Sequence, residues 1–387
     1  MPLTTMMKNN FDQLIDRKHT NSIKWDLYPE DVLPLWVADM DFAAPQPILD
    51  ALQRRIDHPV YGYEGPDEEL MDAICVWVNR RQHWEITCDQ IMLMTGVVSG
   101  MNWVANAFKE EGKSLLIQSP VYPPFFQVAE NTGTVLVEAP LTETEQGYQI
   151  DFAEFERIAA AGVGVFILCN PHNPVGRVYT RAELERLGEI CLRYGITICA
   201  DEIHCDLIYP GHMHTSIASL SDELAAHTIT LMAASKTFNI PGLNFSFAII
   251  PNEEDRKRME KAAAGMTGHA EILANAAAKA AFTQCDPWLA DLLIYLEANR
   301  DYLLNFIQAN MPGIKIYQPQ GTYLAWLDCR LLGLEPDPFH FFLNNAKVAL
   351  NDGKTFGQPG EGFVRMNFGC PRVTLQEALV RMAAALH

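Results

Sequence analysis

Positive charge is in short supply against negative: 29 lysines and arginines stand against 48 aspartates and glutamates, a net charge of -19. A surface of that sign repels phosphate backbones and anionic lipid unless a local basic patch overrides it, so nucleic acid and membrane surfaces are poor partners. Long apolar runs are also missing. No stretch of about 18 uninterrupted apolar residues is there to cross a bilayer. Met1 to Asn10 lacks the basic segment and apolar run of a secretory signal, and a cytoplasmic protein is expected. The nine cysteines, an odd number, contain no Cys-x-x-Cys pair. That excludes a zinc-ribbon spacing and argues against a disulfide framework, so most should be small buried apolar residues. The full Gly-x-Gly-x-x-Gly fingerprint of a dinucleotide loop is absent, as are internal repeats, low-complexity tracts and flexible linkers.

What is present suits a large core. With 387 residues, 49% of them hydrophobic, the chain is expected to divide into two structural domains. Its middle alternates strand-like runs with helical patterns, the mark of crossover units on a largely parallel sheet. Gly164 to Cys169 is a short apolar run that ends in the turn-forming Asn170-Pro171-His172-Asn173-Pro174. Thr180 can then cap a helix with Glu183 three residues on, Leu184, Leu187, Cys191 and Tyr194 line one face, and Gly195 stops it. Ile196 to Ala200, Thr228 to Met232 and Phe245 to Ile250 read as further strands, with Ile91 to Met94 and Leu115 to Ile117 as earlier ones. After Cys285 the texture changes to a long helical pattern, Pro287 to Asn310, and short strands at 314–316, 323–327 and 363–367. The expectation is a large domain over 46–284 with a mostly parallel sheet, and a smaller α+β domain over 1–45 and 285–387. Leu33 to Phe42 reads as an extended segment belonging to the second.

In open parallel sheets ligands bind beyond the carboxyl ends of strands. Three such ends carry chemistry: Asn173 follows one strand, Asp201, Glu202 and His204 follow the next, and Ser235, Lys236 and Thr237 follow a third. A pyridine aldehyde cofactor needs a lysine amine to condense with, a carboxylate to keep its ring nitrogen protonated as an electron sink, and a donor at its phenolic oxygen. Lys236, Asp201 and Asn173 match those needs in order. Its phosphate needs a cradle, and Thr95-Gly96-Val97-Val98-Ser99-Gly100 leads into the helical pattern 101–108 with backbone N–H groups at a positive helix end. Tyr122, in a Pro-rich turn, can supply an aromatic lid.

Five segments together resemble fold-type I pyridoxal-phosphate enzymes: Pro34 to Phe42, Asn170 to Pro174, Asp201 to His204, Ser235 to Asn239 and Phe363 to Phe368. Within that class they look like the MalY/PatB-type cystathionine β-lyases, a branch of the class I/II aminotransferases, and the resemblance covers nearly the whole chain in order. It implies an α/β fold with a mostly parallel seven-stranded sheet and pyridoxal 5'-phosphate as cofactor. It further implies that Lys236 holds the cofactor and moves the α-proton, that Asp201 pairs with the ring nitrogen, and that Asn173 contacts the phenolic oxygen. Tyr122 would stack on the ring and stand with Lys236 among the catalytic residues. Val97 and Val98 would give their amides to the phosphate, Ser235 and His204 would neighbour the cofactor, and Arg365 would clamp the substrate carboxylate beside Asn173 and Ala38. Tyr63 would reach the phosphate of a neighbouring subunit, which makes a homodimer the expected assembly. Two departures from the broader aminotransferase pattern fit the lyase branch: His204 in place of a tyrosine, and no arginine between Lys236 and Ile250.

Each residue also has a bland reading, since a loop lysine is commonly solvated surface, Asp201 could cap a helix, Asn173 could serve a turn and Arg365 a structural ion pair. Their joint occurrence at successive strand ends favours the functional reading. His204, Cys205, His212 and His214 match no zinc template, and no metal is expected. The expected activity is β-elimination from an S-substituted cysteine, giving pyruvate, ammonia and a thiol. The alternatives are an aminotransferase that uses the same residues, and a catalytically idle binding partner on the same fold, against which the intact Lys, Asp, Asn and Arg set speaks. Trp36, Phe125, Phe126 and Tyr323 are candidates for the side-chain pocket.

Overall fold

Val163–Cys169 has every one of its seven residues buried, a pattern possible only for a strand covered on both faces. It lies in a seven-stranded sheet. In chain order the strands are β1 (Ile91–Met94), β2 (Ser114–Ile117), β3 (Val135–Glu138), β4 (Val163–Cys169), β5 (Thr197–Asp201), β6 (Thr228–Met232) and β7 (Ser246–Ile249). Their spatial order is β1-β7-β6-β5-β4-β2-β3. All pairings are parallel except the two made by β7, which runs antiparallel to both β6 and β1. The computed structural model describes residues 8–65, 67–109, 114–266 and 271–387.

The helices that matter for the site are α1 (Gln46–Asp57), α2 (Glu68–Gln82), α3 (Val97–Phe108), α4 (Arg181–Tyr194), α5 (Ala234–Thr237), α6 (Ile272–Gln284), α7 (Asp286–Asn310) and α8 (Arg372–Ala385). The crossover between β4 and β5 runs through α4. Its start is set by a reciprocal capping box, in which the Thr180 side chain accepts from the Glu183 amide while the Glu183 carboxylate accepts from the Thr180 amide at 2.9 Å. Its end is set by Gly195, which adopts φ 65°. Alternate strand residues feed opposite layers. Phe166, Leu168, Ile198 and Ala200 pack with Leu184 and Leu187 of α4, whereas Val165, Ile167, Cys199 and Leu231 pack with Met101 and Val104 of α3. Each large side chain buried this way contributes roughly 1.5–3 kcal/mol.

A second sheet is antiparallel throughout, with β8 (Lys315–Ile316), β9 (Leu324–Asp328), β10 (Asn351–Asp352) and β11 (Phe363–Asn367) in the order β8-β9-β11-β10. It packs with α7 and α8. Strand β3 and the hairpin formed by Thr142–Thr144 and Gly147–Gln149 were not anticipated. β3 is a half-exposed edge strand of four residues, too short to show a period. Leu33–Pro34 pairs with Val348–Ala349, and residues 35–42 follow without regular structure. No helix among the described residues is long and apolar enough to cross a membrane.

Candidate active site

Because β4, β5 and β6 are adjacent and parallel, their carboxyl ends release three loops at one edge of the sheet. Register fixes the levels: Cys169 stands beside Asp201, and Asp201 beside Leu231. Lys236 follows in α5, the single helical turn after β6. Cys169, Asp201 and Lys236 line one cavity of about 330 Å³, together with Ala38, Tyr122, Asn173 and His204. Val97, Val98 and Ser235 line it too, with the amides of Val97 and Val98 in the first turn of α3, where no intrahelical acceptor exists for them. Gly96 enters that turn at φ 151°, a conformation L side chains rarely adopt. A wider depression of about 560 Å³ lies elsewhere, but its basic side chains are already paired: Arg330 with Asp328 and Glu143, Lys354 with Asp337.

Burial sets the protonation states. The Lys236 amine donates to the Ala38 carbonyl at 2.7 Å, and its pKa is lowered to about 8 by burial and then by the nearby Arg365 charge. The Asp201 carboxyl is pushed up to about 7 by burial, partly opposed by the hydrogen bond it accepts from the Ile203 amide at 3.1 Å. Burial also raises the Tyr122 hydroxyl and holds His204 well below the ordinary imidazole value. The His204 Nδ1 is buried without a hydrogen-bond partner, and its ring meets that of Tyr323 edge-on at 5.9 Å.

Arg365 lies in the middle of β11, opposite Trp326 of β9. It donates to Asn173 Oδ1 at 2.9 Å, to the Trp36 carbonyl at 3.0 Å and to Asn351 Oδ1 at 2.5 Å. All three acceptors are neutral. Its Nε is buried with no partner, and burial brings its pKa down to about 10. A buried guanidinium without a carboxylate is costly unless an anion joins it.

The segment 36–42 carries the other wall, where Ala38 lines the cavity. Asn239, at φ 56°, accepts from the Met40 amide and donates to the Met40 and Phe42 carbonyls at 2.9 and 2.8 Å. Asn367 donates to the Val37 and Asp39 carbonyls, both at 2.6 Å. The Tyr323 hydroxyl donates to the Ala38 carbonyl at 2.8 Å, the same oxygen that Lys236 holds. Behind the segment, Lys24 is only 1% exposed and pairs with Asp41 at 2.7 Å. Arg17 bridges Asp39 and Asp41, each at 2.6 Å.

The candidates for cofactor and catalysis in this chain's own site gather at that one cavity, with Arg365 joined to it through Asn173. Tyr63 does not: it is 97% exposed, in the irregular stretch between α1 and α2. Phe125 is a correction. It is fully buried in the core with α3 and, like Phe126, does not line the cavity that holds Lys236. Sequence reasoning gave no role to Lys24, Arg17, Asn239 or Asn367. The last two stand inside recognised segments, but their use as clamps needs the fold, and the buried Lys24 carries no local signal.

A model of the aminotransferase class I and II family matches residues 30–382. This chain belongs to that family. Among its members, cystathionine beta-lyase PatB of Bacillus subtilis is 42% identical over 388 residues, covering 97% of this chain and 100% of that protein. The structure of cystalysin from Treponema denticola, which contains a pyridoxal 5'-phosphate cofactor, superposes with a TM-score of 0.95 at 35% identity, covering 98% of this chain and 99% of that one. A PLP-bound protein of Clostridium difficile 630, provisionally called an aminotransferase, gives a TM-score of 0.95 at 39% identity over 98% of this chain and 100% of its own. The chain thus has the fold-type I architecture of its class I and II relatives, one mixed seven-stranded sheet with helices on both faces.

Proposed function

We propose that this protein binds pyridoxal 5'-phosphate on Lys236 and catalyses β-elimination from S-substituted cysteines, giving pyruvate, ammonia and a thiol. One observation carries the reading: a buried primary amine and a buried carboxylate share a cavity whose neighbour, Arg365, is a buried cation with a free Nε. The residues fit the cofactor. The Val97 and Val98 amides and Ser235 suit its phosphate, Asp201 its ring nitrogen, and the Asn173 amide its phenolic oxygen, since the Asn173 carbonyl is already taken by Arg365. When bound, pyridoxal phosphate supplies an aldehyde for the amino group and a ring that takes up the electron pair left by the α-proton.

The chain's own residues do the rest. At pH 7 an amine of pKa 8 is unprotonated in about one molecule in ten, against about one in three thousand at pKa 10.5, so Lys236 is available as nucleophile and base. It removes the α-proton at Nζ, near the Ala38 carbonyl that holds it. Arg365 orients the substrate through its carboxylate, with Asn351, Asn173 and the Trp36 carbonyl fixing the fork. Tyr122, which lines the cavity, would cover the ring, and its hydroxyl, kept protonated by burial, would pass a proton to the departing sulfur.

The same reading makes the molecule a homodimer in which the exposed Tyr63 reaches the phosphate in a second copy, and places it in the cytoplasm. It also divides the chain into a large unit over 46–284 and a small one over 1–45 and 285–387. The separate sheets, 91–249 and 315–367, support that division. An aminotransferase with the same residues differs only in the fate of one electron pair. Purified protein given cystathionine and no keto acid separates the two: stoichiometric pyruvate and free thiol are expected. Turnover that begins only after a keto acid is added would overturn the lyase reading.

A further inference from the structure

Seven of the nine cysteines are buried, and two are not: Cys75 in α2 and Cys88 in the short 3-10 turn Cys88–Gln90 that leads into β1. These two lie 13 positions apart in sequence, yet their sulfurs meet at 3.5 Å. We propose that Cys75 and Cys88 are a modification site, closing to a reversible disulfide by exchange with a low-molecular-weight disulfide. Helix and turn already bring the sulfurs into contact, so a further approach of about 1.5 Å makes the bond.

The pair is accessible. Cys88 sits between exposed Thr87 and Asp89. A surface depression of about 670 Å³, lined by Cys75, Val76, Asn79 and Arg80 among others, opens on its partner. The Cys88 thiol donates to Asp72 Oδ1 at 3.4 Å, which fixes its orientation beside Cys75. Burial first, and then Cys88 and Asp72, push the Cys75 thiol up to about 12. Cys88, in a turn between two exposed residues, is the sulfur that attacks first, and Cys75, within α2, the one that resolves.

The exchange balances. The Cys88 thiolate attacks one sulfur of the small disulfide, whose S–S bond breaks and releases one thiolate. Cys75 gives up its proton and attacks the Cys88 sulfur of the mixed disulfide, which expels the second small thiolate. Two protein thiols are oxidised, one small disulfide is reduced to two thiols, and the two protons pass to those products.

The experiment uses the full chain with its cofactor bound, incubated with glutathione disulfide. Remaining thiols are then alkylated and the protein is digested with trypsin without reduction. Cleavage after Arg80 and Arg81, between the two cysteines, leaves their peptides joined only through sulfur. The linked pair, two fewer alkylated thiols and full reversal by dithiothreitol are expected. Cys75→Ser should hold glutathione on Cys88, and Cys88→Ser should leave Cys75 alkylated and unlinked. Recovery of both cysteines fully alkylated from the native sequence, or of glutathione retained on both without a link, would overturn the proposal.

Discussion

The two walls of the cavity are built by different means. One wall, Asn173, Asp201 and Lys236, is delivered by adjacent parallel strands whose register is set by backbone pairing and by apolar side chains on both faces of the sheet. The other wall, carried by residues 36–42, has no regular structure and is held by side chains: Asn239, Asn367, Arg365 and the Lys24–Asp41–Arg17 ion cluster. A chemical group on the first wall can be removed while the scaffold stays. On the second, removing a side chain removes part of the scaffold itself.

The largest effect belongs to the first wall. Lys236→Ala should lower turnover at least about 10⁴-fold and erase the visible absorption of bound cofactor, with the fold retained by circular dichroism. Second comes Lys24→Met, which leaves Asp41 short of a buried partner. Denaturant unfolding should show a loss of about 3–5 kcal/mol, and an unchanged midpoint would show that the second wall does not depend on its ion cluster. The third effect is on pH dependence. Asp201 has its folded pKa raised to about 7 from 3.8, so the stability linked to its protonation is full below about pH 4 and is lost as pH rises through about 7. Relative to Asp201→Asn, the cofactor-free protein should lose about 4 kcal/mol across that window, at 1.36 kcal/mol per pKa unit. A parallel pair of pH profiles would contradict the buried carboxylate. The smallest effect is Arg365→Lys, which replaces a planar fork by a point charge. KM should rise about 10–100-fold with a smaller change in kcat, and steady-state kinetics decide it.

The same contrast explains what could be read from the letters. Lys236, Asp201 and Asn173 were legible because buried parallel strands are apolar runs, and polar residues at their ends stand out. Helix α4 was legible through Thr180, Glu183 and Gly195, whose capping chemistry is local. Arg365 was found through its segment's likeness to a family; its three neutral acceptors and free Nε come from strands and loops far apart in sequence. Lys24 was invisible. A lysine beside Trp25 near the start of the chain looks like surface, and only the approach of Asp41 from 17 residues on makes its burial possible. Edge strand β3 was missed because four half-exposed residues carry too little pattern.

Borohydride reduction of the cofactor-loaded protein, followed by mass mapping of the lysine that retains the pyridoxyl group, decides whether the amine at the end of β6 is the one that holds the cofactor. The label is expected on Lys236 alone, and its absence after Lys236→Ala should be complete. A label on any other lysine, or a label that survives that substitution, would contradict the assignment of the site.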